Sequence, residues 1–210
     1  MDIYNEIKEN KIVPVIKIDD EGRAQGLAEA LLDGGLPVAE ITFRTAAAEG
    51  AIRNICKNYP EMLVGAGTVT SVEQAKRAVD AGAKFLVSAG FSRKVVEYAV
   101  DHGISIFPGV CTPTEIMLLL EYHLNVAKFF PAESFGGLQT IKALAAPFPD
   151  LMFMPTGGIN ASNINTYLSF EKILACGGSW MVKEPLIREG NFSEIRKLTQ
   201  EAVNLVKNRG

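Results

Sequence analysis

The sequence has little of what marks a metalloprotein or a secreted protein. Its 210 residues include three cysteines, Cys56, Cys111 and Cys176, and two histidines, His102 and His123, all far apart. None has ligand spacing, so no zinc or iron site is expected. An odd number of scattered cysteines argues for a reduced, cytoplasmic setting rather than a disulfide framework. Positive charge is not in excess either. The 21 Lys and Arg against 24 Asp and Glu leave a net charge of −3, the opposite of a nucleic-acid footprint. Apolar runs are cut by Gly, Pro or charge before reaching the length of a membrane span. The start, Met1-Asp2-Ile3-Tyr4-Asn5-Glu6, is acidic and amphipathic, and no signal peptide is expected from it. Low-complexity tracts and linkers are missing as well. What remains is a chain that is 48% apolar, enough for one well-buried core in a single domain over residues 1–210.

Along that chain, apolar runs alternate with helical patterns at a period of roughly 20–25 residues. Strands are expected at Val13–Ile18, Val38–Phe43, Leu63–Val69, Phe85–Ala89, Ser105–Val110, Val126–Ala132, Met152–Gly157 and Ile173–Gly178. Between them, sets such as Ala24-Leu27-Ala28-Leu31-Leu32 and Val72-Ala75-Val79 have the spacing of amphipathic helices. Asp19-Asp20, Thr45, Ser71, Ser92, Thr112 and Ser162 stand where N-caps belong, and Gly34-Gly35, Gly82 and Gly103 where helices stop. Eight strand–helix units predict a closed (β/α)₈ TIM barrel, with a short N-terminal helix over Ile3–Lys8 covering one end. An open doubly wound sheet is the competing arrangement and normally uses fewer strands.

One residue sits oddly in this pattern. Lys128, in Val126-Ala127-Lys128-Phe129-Phe130-Pro131, is a cation in a strand that reads as buried. Burial disfavours a charged amine, and the free amine is the species that attacks a carbonyl to form a Schiff base. Barrel active sites gather at the C-terminal strand ends. There, alternation puts Glu40, Thr42 and Arg44 on one face and Ala39, Ile41 and Phe43 on the other. Glu40 lies on a strand four places from that of Lys128. The two are expected to meet across the interior, either as a proton-transfer pair or as a structural ion pair. Arg44 suits a substrate carboxylate, or a salt bridge to Glu49. Thr68 offers a rim hydroxyl beside Gly65 and Gly67, themselves consistent with a tight turn. Gly157-Gly158 and Gly177-Gly178-Ser179 follow the last two strands, where barrels build phosphate sites from backbone N–H groups, although either pair is also compatible with a simple turn. Phe130 is expected to keep water from the amine. Trp180 and the Met117–Leu120 stripe read as core or subunit contact, and Lys57, Lys76, Arg77, Lys94, Lys142 and Arg196 as solvated surface.

These segments also recur together in a known family. Val13-Pro14-Val15-Ile16, Glu40-Ile41-Thr42-Phe43-Arg44-Thr45, Gly65-Ala66-Gly67-Thr68-Val69, Lys128-Phe129-Phe130-Pro131-Ala132-Glu133, Pro155-Thr156-Gly157-Gly158-Ile159 and Gly177-Gly178-Ser179-Trp180 span essentially the whole chain. The sequence resembles the bacterial 2-keto-3-deoxy-6-phosphogluconate / 4-hydroxy-2-oxoglutarate aldolases. The resemblance implies a homotrimeric, metal-independent class I aldolase without cofactor. It would act on a phosphorylated keto acid and yield pyruvate and glyceraldehyde 3-phosphate. It also implies Lys128 as Schiff-base lysine, Glu40 as general acid/base, Arg44 and Thr68, with Thr156 nearby, at the carboxylate, and Gly157, Gly158 and Ser179 at the phosphate. The chain departs from the family at Ser88-Ala89-Gly90, where many members have Ser-Pro-Gly, near the pyruvate half of the site. Preference among the gluconate-derived phosphate, its galactonate epimer and 4-hydroxy-2-oxoglutarate is not encoded in these motifs. A sugar-phosphate isomerase or epimerase on the same barrel is the rival activity.

Overall fold

The computed structural model describes residues 2–207. The strands are β1 (Ile12–Ile16), β2 (Val38–Thr42), β3 (Leu63–Gly67), β4 (Phe85–Val87), β5 (Ser105–Phe107), β6 (Gly109–Val110), β7 (Val126–Phe129), β8 (Met152–Pro155) and β9 (Cys176–Gly178). All their ladders are parallel. Between and around them run α1 (Ile3–Asn10), α2 (Ala24–Asp33), α3 (Ala48–Asn58), α4 (Val72–Asp80), α5 (Arg93–Asp101), α6 (Pro113–Glu121), α7 (Gly137–Ala145), α8 (Ile164–Leu168), α9 (Glu184–Glu189) and α10 (Phe192–Lys207). The result is a single-domain α/β fold whose parallel sheet is curled. Strands β2, β3, β4 and β7 are buried throughout, as a parallel sheet covered on both faces requires.

The ladders do not run around an uninterrupted eight-stranded barrel. They fall into a six-stranded sheet, β5-β4-β3-β2-β1-β9, and a three-stranded sheet, β6-β7-β8. Two local features make the breaks. Pro108 has no N–H to give a ladder, so the strand expected over Ser105–Val110 divides into β5 and β6, which pair with different neighbours. Its carbonyl still accepts from the Lys128 N–H at 2.9 Å. At the other junction, the strand expected over Ile173–Gly178 shortens to Cys176–Gly178. Only isolated bridges, Phe153 to Ile173 and Thr156 to Gly177, join β8 to that segment.

Caps explain where helices begin. Thr112 and Glu115 form a reciprocal capping box with Pro113 in the first turn of α6, and the Ser71 hydroxyl accepts from Gln74 N–H at the start of α4. Other expected caps have moved. Asp20 caps a 3₁₀ turn at Glu21–Arg23 instead of α2, and the Thr45 hydroxyl donates to Ile18 O while α3 starts three residues later. Ser162 instead bonds Asn160, and Asn163 takes the cap position of α8. Asx and Ser/Thr side chains satisfy turns as readily as helix ends, so spacing alone does not separate the two uses. Helix α1 packs onto interior aromatics: Ile7 is fully buried, and the Tyr4 ring meets Phe107 edge-on at 5.4 Å. Of the Met117–Leu120 stripe, only Leu119 is buried, whereas Met117 is 59% exposed.

Candidate active site

The ladder dictates where the polar strand residues point. In β2, Glu40 lies opposite Val15 of β1 and Gly65 of β3. In β7, Lys128 lies opposite Gly109 and Met154. The two strands belong to different sheets, yet their side chains meet inside the curl. Lys128 Nζ is 3.6 Å from Glu40 Oε1, and both side chains are buried. Gly67 creates the space: a Cβ at that position would lie 2.1 Å from the same oxygen. Neither Glu40 oxygen accepts a hydrogen bond among the described residues, and 3.6 Å is beyond hydrogen-bond length. A buried carboxylate with open acceptor positions costs stability, and its amine neighbour offsets that only in part. A structural ion pair would close to hydrogen-bond length, and at 3.6 Å this one does not. The Phe130 ring centroid lies 5.2 Å from Nζ and covers the amine.

Arg44 follows β2. Its Nε donates to Thr42 Oγ1 at 3.1 Å, and that hydroxyl in turn donates to Ile16 O at 2.8 Å, which aims the guanidinium along the strand ends. The alternative partner, Glu49, is occupied by Arg77 and Arg53 at 2.7 and 2.8 Å. The hydrogen bond from Arg77 is the main reason its carboxyl is held below the ordinary value. Among the described residues Arg44 therefore has no carboxylate partner. It lines a cavity of about 630 Å³ with Gly158, Ser179, Lys17, Trp180 and Lys183. The other expected site residues, Lys128, Glu40, Thr68, Thr156, Gly157 and Phe130, do not form its wall, and strand register connects them to it. Thr68 comes directly after Gly67, which pairs with Thr42, and its φ of 56° is uncommon for a β-branched residue. Thr156 is buried, its Oγ1 held over Gly177 with no hydrogen-bond partner among the described residues. The left-handed φ values of Gly157 (98°) and Gly158 (82°) favour glycine. Among the described residues their N–H groups have no acceptor, while the Gly158 carbonyl takes amides from Asn160 and Asn163 at 3.1 and 3.0 Å.

Three cleft residues escape a motif-based reading. Trp180 reads as core or subunit contact; it does pack against the core, and its indole also crosses Gly178, where a Cβ would approach within 2.1 Å, and lines the cavity. Lys17 and Lys183 add positive charge where backbone amides alone were expected. The signal for Lys17 was its parity with Val15 within the expected strand Val13–Ile18, a cation in an otherwise apolar run. Its ammonium bonds Glu184 at 3.0 Å and Asp19 at 3.2 Å, which raises its proton affinity. Among the described residues no group of three or more His, Cys, Asp or Glu is arranged to hold a metal ion.

Fold and site together define the class: a parallel α/β enzyme that gathers its polar groups at the strand ends, with a lysine and a carboxylate buried side by side. The family follows from comparison with known proteins. A model described as the KDPG and KHG aldolase family matches residues 3–198, and the chain belongs to that family. A 2-dehydro-3-deoxy-phosphogluconate aldolase of Treponema pallidum (strain Nichols) is 43% identical over 204 residues, 97% of each chain. A KDPG aldolase structure from Legionella pneumophila, with pyruvate captured as a covalent carbinolamine, superposes with a TM-score of 0.92 at 37% identity, covering 96% of this chain and 98% of that one. The 2-keto-3-deoxy-6-phosphogluconate aldolase of Zymomonas mobilis ZM4 with 3-phosphoglycerate gives 0.89 at 38% identity, with 97% and 96% covered.

Proposed function

We propose that this protein is a class I aldolase that cleaves 2-keto-3-deoxy-6-phosphogluconate to pyruvate and glyceraldehyde 3-phosphate, and acts on 4-hydroxy-2-oxoglutarate as a second substrate. The observation that carries the proposal is the buried Lys128–Glu40 contact at 3.6 Å, in which neither carboxylate oxygen accepts a hydrogen bond from the described residues. Strand register brings it near Arg44, whose guanidinium has no carboxylate partner among the described residues, and near Gly157 and Gly158, whose N–H groups have no acceptor there. The free amine of Lys128 adds to the C2 ketone, and loss of water gives an iminium that accepts the electron pair when C3–C4 breaks. Glu40 moves the proton during dehydration of the carbinolamine. It then takes the proton of the C4 hydroxyl and later returns one to C3 of the pyruvate enamine. Arg44 and Thr68, with Thr156 adjacent, hold the carboxylate so that C2 lies against Nζ. Gly157, Gly158 and Ser179 hold the phosphate through backbone N–H groups and the hydroxyl. Phe130 keeps the amine dry. No metal or cofactor has a part in these steps.

Support for the amine chemistry comes from the Legionella neighbour, whose pyruvate is bound covalently, and support for an anion-binding cleft from the phosphoglycerate of the Zymomonas neighbour. In the same reading the curled sheet closes as an eight-stranded barrel, with β5 and β6 as one strand bent at Pro108 and the Thr156–Gly177 bridge joining β8 to β9. The protein works as a cytoplasmic homotrimer, with the exposed Met117 and Leu120 in the subunit contact.

Borohydride reduction in the presence of pyruvate tests the proposal. Intact-mass analysis should find one reduced pyruvate adduct per chain, mapped to Lys128 and lost in Lys128→Ala. A sugar-phosphate isomerase or epimerase would give no adduct, and unimpaired cleavage by Lys128→Ala would overturn the covalent mechanism. Steady-state kcat/KM on the gluconate- and galactonate-derived phosphates and on 4-hydroxy-2-oxoglutarate, measured side by side, ranks the substrates.

A further inference from the structure

Behind the glycine pair of the cleft lies a contact that the proposed mechanism does not use. Glu133 follows the lysine strand by one short loop, and its backbone N–H donates to Gly157 O at 3.1 Å. Its side chain lies flat against Gly158, where a Cβ would come within 2.5 Å of Glu133 Cγ. Its carboxylate accepts a hydrogen bond from the hydroxyl of Tyr167, a residue of α8 that is only 2% exposed. Beneath this pair runs the backbone of Gly137 at the start of α7, whose Cβ would lie 2.8 Å from the Tyr167 hydroxyl and 3.2 Å from Glu133 Oε1. One carboxylate thus ties together the end of the lysine strand, the glycines after β8 and the first turn of α7. Gly158 is trapped between that side chain and the amides of Asn160 and Asn163 on its carbonyl.

We propose that Glu133 and Tyr167 are positioning residues of the aldol reaction, whose hydrogen bond fixes the Gly157–Gly158 amides at their working distance from Lys128 and so sets affinity for the phosphate end of the substrate. The inference deepens the proposed function and rests on it. Two left-handed glycines in succession have wide conformational freedom, so their amides hold an oriented anion site only if something outside the loop immobilises them. The Asn amides restrain the carbonyl of Gly158. Glu133 restrains its Cα face and the carbonyl of Gly157, and Tyr167 holds the Glu133 side chain in the one rotamer that does so. Burial and the neighbouring carboxylate both push the Tyr167 phenol above its ordinary value, so it stays a donor across the working pH range. Neither residue faces the amine, and pyruvate, which has no phosphate, does not depend on them.

This predicts a defect confined to one substrate class. Tyr167→Phe and Glu133→Ala should each raise KM for 2-keto-3-deoxy-6-phosphogluconate about tenfold, equivalent to about 1.4 kcal/mol. In both variants kcat, kcat/KM for 4-hydroxy-2-oxoglutarate and borohydride trapping of pyruvate should stay at wild-type values. The double variant should be no worse than either single one, since both remove the same hydrogen bond. Glu133→Gln, whose amide oxygen still accepts from Tyr167, should restore near-normal KM. Trapped pyruvate per chain counts intact sites, so loss of folding is read separately. Equal losses with both substrates, additive effects, or a Tyr167→Phe enzyme with unchanged KM would each overturn the inference. Failure of the underlying function looks different, because wild-type enzyme would then trap no pyruvate and cleave neither substrate.

Discussion

Gly67→Ala offers the sharpest physical test of the buried pair, because it removes no polar group and acts only by displacing the Glu40 side chain. The added methyl would sit 2.1 Å from Glu40 Oε1 and 2.7 Å from Glu40 Cδ and Cγ. Ordinary contact begins at 3.4 Å, so the carboxylate must withdraw by about 1.3 Å. Gly67 has no left-handed φ and lies in a parallel ladder opposite Thr42, so alanine fits its backbone and the strain falls on the side chain. A shift of about 1 Å in a catalytic group costs on the order of 10²-fold in rate. That corresponds to about 2.7 kcal/mol of transition-state stabilisation. Overpacking should also cost about 1–3 kcal/mol of stability, visible as a lower Tm. The assay is steady-state cleavage with pyruvate release, alongside borohydride trapping. The expected outcome is a kcat/KM lower by about 10²-fold, with Lys128 still trappable, approaching the loss of about 10²–10⁴ for Glu40→Gln. If Gly67→Ala folds and cleaves at the wild-type rate, Glu40 has no positional role in the reaction and the proton-transfer assignment fails.

Other outcomes can be checked as directly. Trp180, the sole tryptophan, lines the cavity that holds Arg44 and Ser179, so inorganic phosphate should change its fluorescence saturably, and Ser179→Ala should shift that titration to higher concentration. A Trp180 signal indifferent to phosphate would argue that the anion binds elsewhere. Gly177→Ala would bring a methyl within 2.3 Å of Thr156 Oγ1 and should raise KM while leaving the Lys128 adduct intact, as read by parallel kinetics and mass analysis. At the start of α6, burial pushes Glu115 up, but hydrogen bonds from the Cys111 N–H, the Thr112 hydroxyl and the Thr112 N–H outweigh it and hold its carboxyl below the ordinary value. A depressed folded value means that this stabilisation is present above the unfolded value and is lost as pH falls through the folded one. Thr112→Ala should therefore lower stability by about 0.5–2 kcal/mol at neutral pH. The difference in Tm from wild type should shrink in acid below the carboxylate range, and a pH-independent difference would show that the capping charge contributes nothing.

Much of the site is legible from strand parity. Glu40 and Lys128 announce themselves as charged residues in runs that carry no other charge, and period-two alternation gives them a common interior side. Two glycine pairs after consecutive strands mark a place where backbone, not side chain, meets a ligand. Arg44 is legible only in part, since its competing partner Glu49 could be ruled out only when Arg53 and Arg77 were found on it. Trp180 packs against the core as its bulk suggested, but hydrophobicity does not say that its other side faces the cavity. The contact of Glu133 with Tyr167 left no signal, since residues 34 apart are invisible to local spacing.

The division has a physical origin. Local rules determine element type, and parity determines which face a side chain takes, so the alternating α/β organisation, the buried lysine and its family motifs could be read along the chain. Closure, distance and space are not local. The splitting of the ladder at Pro108, the 3.6 Å approach of Lys128 to Glu40 and the space lent by Gly67 arise only when strands far apart in sequence are packed around one interior. Packing to near-crystalline density leaves few open positions, and where they fall is a property of the assembled fold.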